Sequence, residues 1–154
     1  MFEGIFGFVG SILNAVFPHI LDRRGKKSDE FMQYQVLRRE VAEALVYYSR
    51  LLYHPVDLAK TPNQDVPEDY QNGIDRFREL AAKMCALAET MPPKNKDMPV
   101  KPEELSNAAG CLIGLSNSFL LPYNTALIDE DLQDIRRYEI QLREILDISK
   151  KNGD

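Results

Sequence analysis

The chain has 154 residues, 44% hydrophobic and 28% charged, with a mean hydropathy of −0.34. These proportions fit one compact domain and exclude a disordered chain and a polytopic membrane protein. A net charge of −5 argues against general polyanion binding, so no nucleic-acid partner is expected.

Charge is unevenly spread. Residues 4–21 hold no formal charge apart from whatever His19 carries. Residues 22–27 set Asp22 against Arg23, Arg24, Lys26 and Lys27, a net of +3, which leaves −7 on residues 28–154 once Glu3 is counted. The expected organisation is a membrane-associating hydrophobic helix over 1–21, a basic hinge over 22–27, and a four-helix cytoplasmic bundle over 28–154.

The leader opens Met-Phe-Glu-Gly, so neither a cleaved signal peptide, which starts basic, nor a myristoylation site, which starts Met-Gly, is expected. On a helical wheel Glu3, Gly4, Gly7, Gly10, Ser11, Asn14 and Pro18 share an arc of roughly 120°. Phe2, Ile5, Phe6, Phe8, Val9, Ile12, Leu13, Ala15, Val16 and Phe17 fill the rest, a wide apolar face suited to lying in a bilayer interface. The Gly4/Gly7/Gly10 ridge would equally let two such helices approach closely inside a membrane. Eighteen helical residues rise about 27 Å against a hydrocarbon core of about 30 Å. Pro18 stops or kinks the helix near Phe17 and shortens it further, which favours lying flat over spanning. Arg23, Arg24, Lys26 and Lys27 then contact anionic lipid, at about 1 kcal/mol each. The protein is placed on the cytoplasmic side of a membrane, peripheral or single-pass, by the positive-inside rule.

The acidic body reads as all-α, an antiparallel four-helix bundle. Ser28 caps a first helix whose stripe is Tyr34, Leu37, Val41, Ala44, Tyr48 and Leu51, widened by Leu45 and Leu52, and which ends at His54-Pro55. A loop follows to Val66. Pro67, at the first helical position, starts a second helix with the stripe Tyr70, Ile74, Phe77, Leu80, Ala81, Met84, Leu87 and Met91, closed by Pro92-Pro93. After a polar loop over 94–101, Pro102-Glu103-Glu104 starts a third, with Leu105, Ala108, Leu112, Leu115 and Phe119 buried and Leu121-Pro122 ending it. A fourth runs from Ile128 to Lys150 through Leu132, Ile135, Tyr138, Leu142 and Ile145, with Asn152-Gly153 as its stop. No strand-like alternation is present.

Few residues carry chemistry. Arg50 and His54 share a helical face and invite comparison with the HEPN-type RNases, also helical bundles, whose motif sets four to six residues between Arg and His. Only Leu51, Leu52 and Tyr53 intervene here, and the pair comes early in the chain. A cationic pair capping a helix C-terminus is the plainer expectation. Neither His follows a Glu by three residues as a di-iron bundle needs, and no CxxC, HExxH or phosphate-binding loop occurs. No cofactor and no metal are expected. Cys85 and Cys111 lie among small apolar residues and read as core.

Ser106, Gly110, Gly114 and Asn117 recur at helical spacing beside the third stripe. Glycine inside a helix costs about 1 kcal/mol relative to alanine, so the stripe predicts close helix packing or, alternatively, a groove for a partner or small ligand. Asp75, Glu79, Asp134 and Glu139, alternating with arginines, predict a solvated face. The function expected is a non-enzymatic, membrane-associated interaction or scaffold module engaging a protein partner or itself. The alternatives are a soluble assembly subunit oligomerising through its N-terminal helix and an RNase-like effector using Arg50/His54.

Overall fold

A computed structural model describes residues 29–57, 65–92, 95–121 and 128–148. The leader, the basic hinge and the Ser28 cap lie outside the described residues. What is described is a helical bundle of four helices: α1 (Asp29–Leu52), α2 (Glu68–Thr90), α3 (Pro102–Asn117) and α4 (Ile128–Leu146).

α1 opens with Asp29 and Glu30 against the positive end of its dipole and closes with Arg50 at the negative end. It buries Tyr34, Leu37, Val41, Ala44, Leu45 and Leu52, with Tyr48 and Leu51 packed at the margin. Pro67 precedes α2 as its cap rather than its first helical residue, and its carbonyl accepts the Gln71 N–H at 3.1 Å. Pro102 does open α3, and the Lys101 backbone N–H donates to the Glu104 carboxylate at 2.7 Å. That is half a capping box; a lysine side chain has no acceptor to complete it. Every residue of the third stripe is buried.

Residue pairings fix the relative direction of two helix pairs. Along α1, Glu40 faces Lys83 of α2 and Tyr48 faces Phe77, so the two helices run oppositely. Arg38 meets Leu146 of α4 and Tyr53 meets Glu139, again with falling number. α2 shares its longest contact with α3. Phe119, fully buried just after α3, lies 5.7 Å from Phe77, 6.1 Å from Tyr48 and 6.3 Å from Tyr70, centroid to centroid. Aromatic pairs of this kind are worth about 0.5–1.5 kcal/mol each beyond the area they bury.

Besides Pro67, the backbone departs from the sequence expectations at three places. Two short strands, β1 (Val56–Asp57) and β2 (Leu120–Leu121), pair in parallel with Val56 opposite Leu120, tying the chain after α1 to the chain after α3. Two residues are too few to show alternation, and β2 lies in what reads as the end of the third helix. The 94–101 loop is anchored by buried Met98 and Val100. Finally, α4 ends at Leu146, not Lys150. Asp147 adopts φ 50°, and Ile148 N–H bonds back to the Arg143 carbonyl at 2.9 Å. This is a Schellman stop with aspartate where glycine is usual. Arg38 holds it from α1, donating Nε to the Leu146 carbonyl at 2.6 Å and a second guanidinium N–H to the Asp147 carbonyl.

Candidate functional site

Four charged side chains meet between α1 and α2 where the sequence pattern predicts a solvated face. On α2, Glu79 pairs with Lys83 at 3.1 Å and Arg76 at 3.3 Å. From α1, Glu40 faces the same two cations, at 3.5 Å from Lys83 and 3.7 Å from Arg76. Lys83 is only 7% exposed, a burial that lysine tolerates only when paired. Burial alone pushes the Glu79 carboxyl up, but Lys83 and Arg76 outweigh it and hold the group below its ordinary value. Glu40 Oε2 is buried without a hydrogen bond; its 3.5 Å approach to Lys83 is an ion pair, too long for a good hydrogen bond.

This network borders a cleft of about 400 Å³ lined by Asp29, Glu30, Leu37 and Glu40 from α1 and by Lys83 and Leu87 from α2. Glu79, held ionised by two cations, is a fixed charge rather than a proton shuttle. Among the described residues no cluster of three or more His, Cys, Asp or Glu is placed to hold a metal ion.

A second polar contact joins α4 to the chain just after α1. Tyr53 donates its hydroxyl to Glu139 Oε2 at 2.6 Å, and Arg143 Nε donates to Glu139 Oε1 at 3.0 Å. Burial, then the hydrogen bond to Glu139, push the Tyr53 phenol up to about 12. A phenol so held is a donor, not a base. Glu79 is therefore half-buried within the charge network that Glu40 closes from α1, and Glu139 is a half-buried link from α4 to Tyr53, which corrects the solvated-face expectation for both.

Arg50 and His54 are exposed, and no hydrogen bond joins their side chains; it is the His54 backbone carbonyl that takes the Tyr70 hydroxyl, at 2.5 Å. Within the small-residue stripe, Ser106, Gly110 and Asn117 are exposed and Gly114 is half-buried. A Cβ at Gly110 would meet nothing within 4 Å, whereas one at Gly114 would stand 2.6 Å from Tyr138 Cζ on α4. Close packing occurs at Gly114 alone, so the stripe is not a continuous helix contact. Cys111 is buried and its thiol is pushed up by that burial, while Cys85 is exposed, contrary to expectation. It falls on the outward line of α2 with Asp75, Arg78 and Glu89. The expected membrane-contacting residues Phe2, Ile5, Phe6, Phe8, Val9, Ile12, Leu13, Val16 and Phe17 lie outside the described residues, as do Arg23, Arg24, Lys26 and Lys27. No helix among the described residues is long and apolar enough to cross a membrane.

The outer face of α1 carries two large apolar side chains that lie off its buried stripe. Val46 is 72% exposed and Tyr47 79% exposed, both opposite the buried Tyr34/Leu37/Val41 line. Their position off that line was the signal available in the sequence. The chain matches no protein-family model, no curated protein and no solved structure.

Proposed function

We propose that this chain is a small non-enzymatic protein that binds a membrane through its N-terminus and presents a helical bundle as an interaction or scaffold module. Residues 1–21 form the membrane-associating helix, residues 22–27 the hinge on anionic lipid, and residues 28–154 an antiparallel four-helix bundle on the cytoplasmic side. The observation that carries the reading is the uncharged run 4–21 followed at once by Arg23, Arg24, Lys26 and Lys27. The exposed Val46 and Tyr47 on the outer face of α1 give the interaction half a small apolar area to use.

The test is flotation of the full chain with phosphatidylcholine vesicles, with and without phosphatidylserine. The protein is expected to rise with the anionic vesicles. Replacing Arg23, Arg24, Lys26 and Lys27 with Gln should release it, because several kcal/mol of lipid attraction are lost. A full chain that stays at the bottom with both lipids sinks the membrane reading and favours the assembly subunit.

A further inference from the structure

On α1, Arg39, Glu43, Val46, Tyr47 and Arg50 fall within about 100° of arc at 100° per residue. All five are exposed. Among the described residues Glu43 is paired only within its own helix, to Arg39 at 3.1 Å, with both side chains largely in water. Arg50 has no acidic partner among the described residues.

The order of these residues is self-complementary. Glu43 and Arg50 sit one helical turn on either side of the point midway between Val46 and Tyr47. Two copies of α1 laid antiparallel about a two-fold axis through that point bring the two Val46 side chains together on one side of the seam and the two Tyr47 rings together on the other. The same operation sets Glu43 of each copy against Arg50 of the other, so both ends of the contact become attractive ion pairs. A symmetric contact of this kind needs a patch that complements itself, and the parallel alternative would set Glu43 on Glu43 and Arg50 on Arg50.

We propose that the outer face of α1 is a self-association surface whose partner is a second copy of this chain, docked antiparallel about Val46/Tyr47. One apolar pair per copy buries less than the roughly 1,000 Å² expected of a stable interface, so association in bulk solution is weak. Confinement of both copies to one bilayer raises their effective concentration and strengthens it. That strengthening rests on the membrane reading above; the surface itself does not.

The test uses full-length chains labelled with donor or acceptor dye at exposed Cys85, with Cys111→Ser in the background. Energy transfer is read free in buffer and on phosphatidylserine-containing vesicles, with flotation of the same samples. Wild type should show transfer that unlabelled wild type competes away. Glu43→Arg and Arg50→Glu should each weaken self-association about tenfold or more, because like charges then face each other at both ends. Mixing the two variants in equal amounts should restore transfer, since Glu43→Arg in one copy then faces Arg50→Glu in the other. That rescue also shows both variants to be folded. Transfer in buffer without flotation would sink the membrane reading and leave this surface standing. Absence of transfer for wild type in both settings, single variants that associate like wild type, or a mixture that fails to recover would each overturn it.

Discussion

The ring of Phe119 fills the space that a side chain at Gly73 would need: its Cε1 and Cζ stand 2.6 Å from the position of a Cβ there. Phe119 cannot easily yield, because it is fully buried and is met by Tyr48, Tyr70 and Phe77. Gly73 therefore lets α2 approach the turn after α3, and through Tyr48 the same contact gathers α1.

The three described glycines should respond to alanine in different ways. Gly73→Ala gains about 1 kcal/mol of helix propensity but forces overpacking that typically costs about 1–3. A net loss is expected, read as a melting temperature lower by a few degrees. Gly110→Ala meets open space and should stabilise by about 0.5–1 kcal/mol. Gly114→Ala should fall between them, because the half-buried Tyr138 ring can swing outward. If Gly110→Ala lowers the melting temperature as Gly73→Ala does, the assignment of an open face at Gly110 is wrong.

Tyr53 predicts alkaline behaviour. Its folded pKa, about 12, lies above the ordinary 10.0. A group raised in this way contributes stability that is full below pH 10 and is lost as pH climbs from 10 towards 12. Tyr53→Phe removes the hydrogen bond to Glu139 and should cost about 1–2 kcal/mol at neutral pH. Denaturant melts of both proteins between pH 7 and 11.5 should converge as the wild type loses this contribution. A constant gap across that range would show that the Tyr53–Glu139 contact is not what the stability feels.

The four helices were legible because their apolar residues recur at three and four, and because Pro67 and Pro102 mark two of the starts. Contacts made between elements were not. That α4 stops at Leu146 depends on Arg38, over a hundred residues earlier, capping its last carbonyls. The β1–β2 pairing joins segments that each read as loop or helix end. Glu79 and Lys83 form an i, i+4 pair such as any solvated helix carries; only the approach of Glu40 from α1 shows them half-buried and buried. Gly110 and Gly114 look equivalent in the sequence, and the position of Tyr138 separates them. Val46 and Tyr47 were visible as apolar residues off the stripe, but periodicity weighs what lies on a face and passes over what lies outside it.

Lys83 decides the balance of the α1–α2 charge network. In the wild type Glu79 is held below its ordinary value by Lys83 and Arg76. Its contribution is therefore complete above about pH 4.5 and is lost as pH falls through the folded value. Lys83→Met keeps an unbranched side chain of similar length but leaves the Glu40 and Glu79 carboxylates, each about a quarter exposed, sharing Arg76 alone. Breaking one partner from a buried network costs about 3–5 kcal/mol; partial exposure of both acids lowers that to about 1–3 here. Without Lys83 the Glu79 carboxyl loses the larger of the two cationic influences that hold it low, while burial still pushes it up. Its contribution at neutral pH is then diminished and the variant has less to lose as pH falls. The gap between wild type and Lys83→Met should be widest near pH 7 and narrow towards pH 4. Glu40→Gln in the Lys83→Met background removes one of the opposed charges and should recover part of the loss at pH 7. Urea melts of the three proteins at pH 7, 5 and 4 read all of these outcomes. A gap that stays constant with pH would mean that Lys83 stabilises the bundle through packing of its stem rather than through its charge.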